Sequence, residues 1–221
     1  MIEFNYDNIL LKFNSINRDC MSLDWKNNRF YERHLLEKVK SLNLKGTYVD
    51  VGAHHGNHTV FFDKFCNSEK VISIEGNPFN FNYLKENTTL NNCNCLLYND
   101  IISDKQGETL AMKYGLTNTG CSQVIGINEK TGLRKITNTT NTLDNILKNE
   151  EKISLIKLDI ENYEYFSLLG GEDIISKHHP VIVIELHKNN PYYNEIVDFL
   201  KKYNYKTNKR NYGASPTFIY H

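Results

Sequence analysis

The stretch Thr47–Thr59, TYVDVGAHHGNHT, decides how the rest of the chain is read. Its first half, Tyr48-Val49-Asp50-Val51, is a short apolar run of β-branched and aromatic residues, which reads as a buried strand. The run stops at Gly52, Gly56 follows, and Thr59-Val60-Phe61-Phe62 opens a helix-like apolar face. Strand, glycine turn and helix start together make a nucleotide-type ligand site. Gly52 has no Cβ, so the chain can turn sharply there and let a ligand approach the backbone. The helix that follows aims its unsatisfied N–H groups at the same place. His54 stands where G-x-G-x-x-G needs its middle glycine, so this is no dinucleotide fingerprint; no Gly-Lys-Ser/Thr follows to make a phosphate loop. A tight turn with no ligand is the alternative for so short a motif.

What remains, D-x-G-x-x-x-G over Asp50–Gly56, is similar to the loop of S-adenosylmethionine (SAM) enzymes. Lys70–Gly76, KVISIEG, is a second strand of the same kind and ends in Glu75. A carboxylate about 20 residues beyond the glycine loop sits where a ribose diol is gripped. Its oxygens accept from both hydroxyls. Pro78 marks a helix start, and Phe79–Asn92 reads as that helix.

With these pieces in place the chain resembles the FkbM-type family of SAM-dependent methyltransferases. The matching segments are VDVGAHHGNHT (Val49–Thr59), IEGNPFNFNYLKEN (Ile74–Asn87), NDIISDKQGETL (Asn99–Leu110), TLDNIL (Thr142–Leu147), LIKLDIENYEYFSLLGGEDII (Leu155–Ile175) and PVIVIELH (Pro180–His187), in the family's order. The chain departs from the family at Asn162, where Asp-Val/Ile-Glu-Gly usually has its glycine; Asn tolerates left-handed backbone better than most residues. The resemblance implies an α/β, Rossmann-like class I methyltransferase: a mostly parallel seven-stranded sheet with helices on both faces, a closing antiparallel strand and a small β-hairpin insertion. It also implies SAM as cofactor and S-adenosyl-L-homocysteine as product. The cofactor residues are then Asp50, Gly52, Ala53, His54, Gly56, Asn57, Thr59, Glu75, Gly76 and Asn77, with Asp100 and Ile101 at the adenine.

A chain of 221 residues suffices for one domain with a full core. We divide it into an N-terminal extension with an amphipathic helix (1–45) and a methyltransferase domain (46–221). Lys+Arg and Asp+Glu both number 26, so no basic excess draws the chain to nucleic acid or anionic membrane. The five cysteines show no framework spacing, which argues for reduced thiols and a cytoplasmic location. Cys93-Asn94-Cys95 lacks the second pair a metal site needs. Nothing reads as a signal peptide or a membrane span.

Along the chain, residues 1–28 read as irregular, and Arg29–Leu42 as a helix with Tyr31, Leu35, Leu36, Val39 and Leu42 on one face. Trp25, Phe30 and Tyr31 either roof the site or staple that helix. Cys95–Ile102 is a third strand. Glu108–Lys113 and Cys121–Ile127 form a hairpin whose polar centre, residues 118–122, borders a substrate site. Helices follow at Thr142–Asn149, Tyr163–Leu169, Asp173–Lys177 and Tyr193–Tyr203, and core strands at Ser154–Asp159 and Val181–Leu186. Tyr205–Thr207 and Thr217–Tyr220 would close the sheet as an antiparallel pair.

Ligands of open α/β sheets lie at the carboxyl ends of the strands. There the fourth core strand brings Asp159 and Glu161, and the fifth brings Glu185 and His187; residues two apart on a strand share a face. Methyl transfer to an alcohol needs the acceptor aligned and its proton removed. Asp159 or His187 is the expected base, with Glu161 and Glu185 orienting it or the acceptor. These acids lack a clear metal-ligand spacing, so no metal is expected. The expected activity is O-methylation of a sugar, glycan or similar small-molecule hydroxyl. The rivals are a nucleic-acid methyltransferase on the same fold and a non-catalytic SAM-fold binding protein.

Overall fold

Residues 1–28 are more ordered than their composition suggests. In the computed structural model, which describes residues 1–16, 19–115 and 119–221, β1 (Ile2–Tyr6) and β2 (Ile9–Phe13) form an antiparallel hairpin. Its turn, Asp7-Asn8, has both residues at positive φ, 46° and 64°, the geometry that lets a two-residue turn follow strand twist. Phe4, Tyr6, Leu11 and Phe13 point inward into an aromatic cluster with Trp25 and Phe30. A helix, α1 (Cys20–Lys26), follows, capped by the Asp19 carboxylate on the Met21 N–H. The expectation of irregular structure is corrected: two five-residue strands are too short for their alternation to stand out among Asn and Lys.

Next come α2 (Arg33–Ser41), β3 (Gly46–Val51), α3 (Asn57–Phe65), β4 (Ser68–Ile74), α4 (Pro78–Leu90) and β5 (Cys95–Tyr98). The chain then leaves the main sheet through β6 (Ile101–Ile102), β7 (Thr109–Tyr114), β8 (Gln123–Ile125) and β9 (Arg134–Asn141). It returns with α5 (Leu143–Leu147), β10 (Ile153–Leu158), α6 (Glu164–Leu169), α7 (Glu172–His178), β11 (Val181–Glu185), α8 (Tyr193–Lys202) and β12 (Thr217–Tyr220).

The main sheet has six strands in the order β12-β11-β10-β3-β4-β5, all parallel except β12, which runs antiparallel to β11. Seven strands were expected. Tyr205–Thr207 forms no strand: positive φ at Asn204 and Lys209 turns the chain on either side. One reciprocal pair of backbone hydrogen bonds, between Lys206 and His221, is all of the expected pairing that forms. Tyr205 packs into the core and donates its hydroxyl to the Pro180 carbonyl. The insertion is also larger than a hairpin. It is a four-stranded sheet, β6-β9-β7-β8, and its long strand β9 is mostly polar, with no apolar alternation to reveal it.

Both faces of the main sheet are covered by apolar clusters. Strands β3 and β10 are buried at every position, which is why they read as near-continuous apolar runs. Strand order reverses between β3 and β10, so the carboxyl ends of those two strands open the crevice where a ligand can lie. Among the described residues no helix is long and apolar enough to cross a membrane.

Candidate functional site

The turn after β3 is built by its glycines. Gly52 has φ +78°, and a Cβ there would lie 1.9 Å from the Asp159 carbonyl oxygen. At Gly56, φ +90°, the nearest atom would be Leu84 Cδ1 at 3.1 Å. Both glycines therefore make room for the chain itself, letting the ends of β3 and β10 meet and α4 pack on the turn. The Gly52 and Ala53 N–H groups donate to the Ile74 carbonyl at the end of β4, which ties the turn to the next strand.

Gly52, His54, Glu75, Gly76, Asp100 and Ile101 line one cleft above these strand ends. Glu75 is 5% exposed; its Oε2 accepts the His54 N–H and its Oε1 the Asn77 N–H, both at 2.8 Å. Burial pushes its carboxyl up to about 7. The other residues assigned to the cofactor do not line the cleft. Asp50 is fully buried beneath it, bound by Thr59 Oγ1 at 2.7 Å and by the Lys157 ammonium at 3.1 Å. Asn57 holds the N-terminal segment, accepting from Trp25 Nε1 and the Tyr31 N–H and donating to the Tyr31 carbonyl. Asn77 caps α4 through the Phe79 N–H and donates to Ser122, whereas Ala53 is a buried turn residue.

At the other end of the cleft stand Asp159, Glu161 and Glu185. They do not arrive as strand neighbours. β10 ends at Leu158, and the backbone turns through Glu161 and Asn162 at φ 54° and 74°. Asn162 thus adopts the left-handed conformation that a glycine would favour. The turn is held by Glu164, a residue the sequence reading passed over. Its buried Oε1 accepts the Ile160 and Asn162 N–H groups, and its Oε2 accepts from Asn190. Burial pushes Glu164 up to about 7. Glu185 is also pushed up to about 7, first by burial and then by the Asp159 carboxylate; the same two causes raise Glu161. His187 lies beyond β11, outside the cleft lining, 3.3 Å from Glu185 Oε1 with a half-exposed ring.

Lys157 is the other site residue the sequence reading missed, because a lone Lys inside an apolar strand carries no motif. Its ammonium is buried between Asp50, Asp159 Oδ2 at 3.5 Å and the Gly52 carbonyl at 3.2 Å. Burial works against its charge, and the two carboxylates outweigh that, holding its pKa above the ordinary lysine value. The N-terminal segment also contributes: Met21, Tyr31 and Glu32 line the cleft, whereas Trp25 and Phe30 are core residues. Glu32 pairs with His58 at 3.2 Å and accepts the Ala214 N–H. Of the hairpin's polar centre, Ser122 lines the cleft and Asn118 lies outside the described residues.

Among the described residues one group of possible metal ligands has its atoms within 4.8 Å of one another: Asp19, His54 and His55. Its geometry is poor for a shared ion. The two imidazoles are stacked, with centroids 3.8 Å apart and planes 14° from parallel, so their in-plane lone pairs run side by side instead of converging. His54 is engaged by Thr119 and His55 by Ser15.

The family model described as Methyltransferase FkbM domain matches residues 50–207. No curated protein matches the sequence significantly. Among solved structures the chain is similar to methyltransferase FkbM from Methylobacillus flagellatus, at 17% identity and a TM-score of 0.54, over 93% of this chain and 48% of that one. It is also similar to the tRNA (uracil-54, C5)-methyltransferase of Pyrococcus abyssi in complex with S-adenosyl-L-homocysteine, at 12% identity and a TM-score of 0.50, over 100% of this chain and 44% of that one. The chain thus spans about half the length of each. At these identities the likeness speaks for the fold: an α/β methyltransferase architecture with a mixed sheet.

Proposed function

The chain belongs to the FkbM methyltransferase family, and from that premise we propose that it methylates a hydroxyl of a sugar, a glycan or a similar small molecule, with SAM as donor. The observation that carries this reading is one cleft with two ends: Glu75, Asp100 and Ile101 at one, and Asp159, Glu161 and Glu185 at the other. The donor set fits the cofactor. A buried carboxylate at the end of β4 has each oxygen anchored by one N–H and lone pairs left for a ribose diol. Asp100 and Ile101 pair an acceptor with an apolar side chain, as an adenine requires.

When bound, the cofactor supplies an electrophilic methyl on a sulfonium. The remaining work is positioning and proton removal, and it falls to this chain's own residues. Asp159, whose side chain is 35% exposed at the cleft, is our base. Glu161 and Glu185 orient the acceptor, and His187 acts through Glu185. We place it in a reducing, cytoplasmic setting, in keeping with five cysteines that have no framework spacing.

The test is calorimetry with SAM beside transfer from methyl-labelled SAM to a panel of sugars. Glu75→Ala should weaken SAM by about 1.5–3 kcal/mol, the range for hydrogen bonds to a charged group. Asp159→Asn should keep SAM affinity and lose about 10²–10⁴-fold in rate. Undiminished SAM affinity in the first, or unchanged turnover in the second, overturns the corresponding assignment.

A further inference from the structure

Ribose, adenine and acceptor account for the two ends of the cleft, and the amino-acid arm of the cofactor needs a third wall. We propose that Glu32, from the N-terminal segment, receives the ammonium of that arm. This rests on the methyl-transfer reading of the same cleft and adds a cofactor residue from outside the matched stretch, residues 50–207.

The acid that the glycine motif offers to a positive group is already taken. Asp50 lies beneath the cleft, closed to solvent, with Thr59 Oγ1 on one oxygen and the Lys157 ammonium on the other. Glu32 instead lines the cleft, together with Met21, Tyr31 and His58. It lies near enough to Lys157 for their charges to interact, which sets this wall at the crevice between β3 and β10. Lys157 is the sole Lys or Arg among the described residues lining the cleft, and it is committed to Asp50, Asp159 and the Gly52 carbonyl.

The Glu32 carboxylate is held in place with bonding capacity left over. Its side chain is 5% exposed; Oε2 lies 3.2 Å from His58 Nε2, and Oε1 accepts the Ala214 N–H at 2.7 Å. A Cβ at Gly213 would lie 2.4 Å from Oε1, so glycine is what lets this loop reach the carboxylate. These contacts use two of about four lone-pair sites, and an ammonium brings three donors and a positive charge. Burial pushes the carboxyl up, but the His58 contact outweighs it, so Glu32 stays ionised. The backbone is a second, independent sign. Asn, Asp and His enter positive φ more readily than other side chains. Beyond those types, the described non-glycine residues at positive φ are Glu32 (φ 54°), Glu161 and Lys209, and the first two line the cleft. Such backbone is costly and gathers at ligand clamps. Asn57 secures it, exchanging two hydrogen bonds with the Tyr31 backbone and so tying the residue before Glu32 to the start of α3.

The experiment is calorimetry on the full chain with S-adenosylhomocysteine and with the same molecule lacking its α-amino group, so that the ammonium alone differs. The parent should bind S-adenosylhomocysteine about tenfold or more tightly, as a hydrogen bond to a charged group predicts. Glu32→Gln should lose that preference while binding the deaminated analogue as the parent does. Glu32→Asp, which keeps the charge but draws it back, should retain part of the preference. Equal binding of the two ligands by the parent overturns the inference without any variant. So does a folded Glu32→Gln chain that keeps the preference, or one that weakens both ligands alike, which makes Glu32 only a clasp between the N-terminal segment and the Gly213-Ala214 loop. Failure of the parent to bind either ligand removes the methyl-transfer reading instead.

Discussion

Lys157 and Asp50 are direct partners across the parallel β10–β3 pair, and their side chains form an ion pair of 3.1 Å beneath the cleft. Both are essentially inaccessible to solvent. Removing one member leaves a buried charge without compensation, which costs about 3–5 kcal/mol. Lys157→Met should therefore destabilise the chain by that amount in urea titration, and the double variant with Asp50→Leu should recover most of it. If Lys157→Met alone unfolds at the parent's urea midpoint, the pair is not structural.

Gly52 and Gly107 separate the cost of a left-handed backbone from the cost of a clash. Both have positive φ, +78° and +82°. A Cβ at Gly107 meets nothing within 4 Å, so Gly107→Ala should cost only the conformational term, about 1–2 kcal/mol. At Gly52 it would lie 1.9 Å from the Asp159 carbonyl. Gly52→Ala should thus be far more damaging, with a much lower melting temperature or no soluble protein. Similar melting temperatures for the two variants would refute this account of the glycine turn.

Asn162, at φ 74°, stands where the family has glycine. Left-handed backbone at an asparagine is not unique to this turn, since Asn8 and Asn92 also have positive φ. Asn162→Gly should stay within about 0.5 kcal/mol of the parent, whereas Asn162→Val, a β-branched residue in the same conformation, should lose about 1–3 kcal/mol. Equal stabilities in chemical denaturation would show that the turn rearranges freely.

The pH dependence of stability follows from the buried acids. Glu75, Glu164 and Glu185 are raised from an ordinary 4.5 to about 7 in the folded chain. Between those values the native state holds protons that the unfolded chain has released. Their contribution therefore falls as pH rises through that window and is flat above it. Asp50 and Glu32 act oppositely: burial raises them, but Lys157 and His58 outweigh it, and the stability they contribute is lost only as pH falls below the ordinary carboxylate range. Buried His54 and His55, held below the ordinary 6.5 by desolvation, pull the other way across the same window, but they are two against three carboxyls; without ligand, the protein should therefore be more stable near about pH 5.5 than near about pH 8, and Glu164→Gln should reduce the difference. A urea midpoint that rises with pH across this range would contradict the burial of these carboxyls.

The parts legible in the sequence are those in which local pattern and burial coincide. Strands β3, β10 and β11 are apolar runs because both their faces are covered, and the glycine turn and the acid ending β4 stand at fixed offsets from such a run. Strand β9 was not legible, because RKITNTTN has no apolar period to read, and Tyr205–Thr207 misled because its aromatic residue serves the core instead of a ladder.

By itself the sequence determined the family, the αβ order of the main sheet and which strand ends open the crevice, since a buried run can only be satisfied inside a covered sheet. Tertiary structure decided what each polar residue does there. Asp50 sits in the glycine motif yet faces Lys157, more than a hundred residues away, because parallel register sets them side by side. Glu164 carries no motif and still shapes the acid turn, because its buried carboxylate is within reach of two N–H groups that have no strand partner. Charge compensation and hydrogen-bond satisfaction act across space, and only the folded chain brings those partners together.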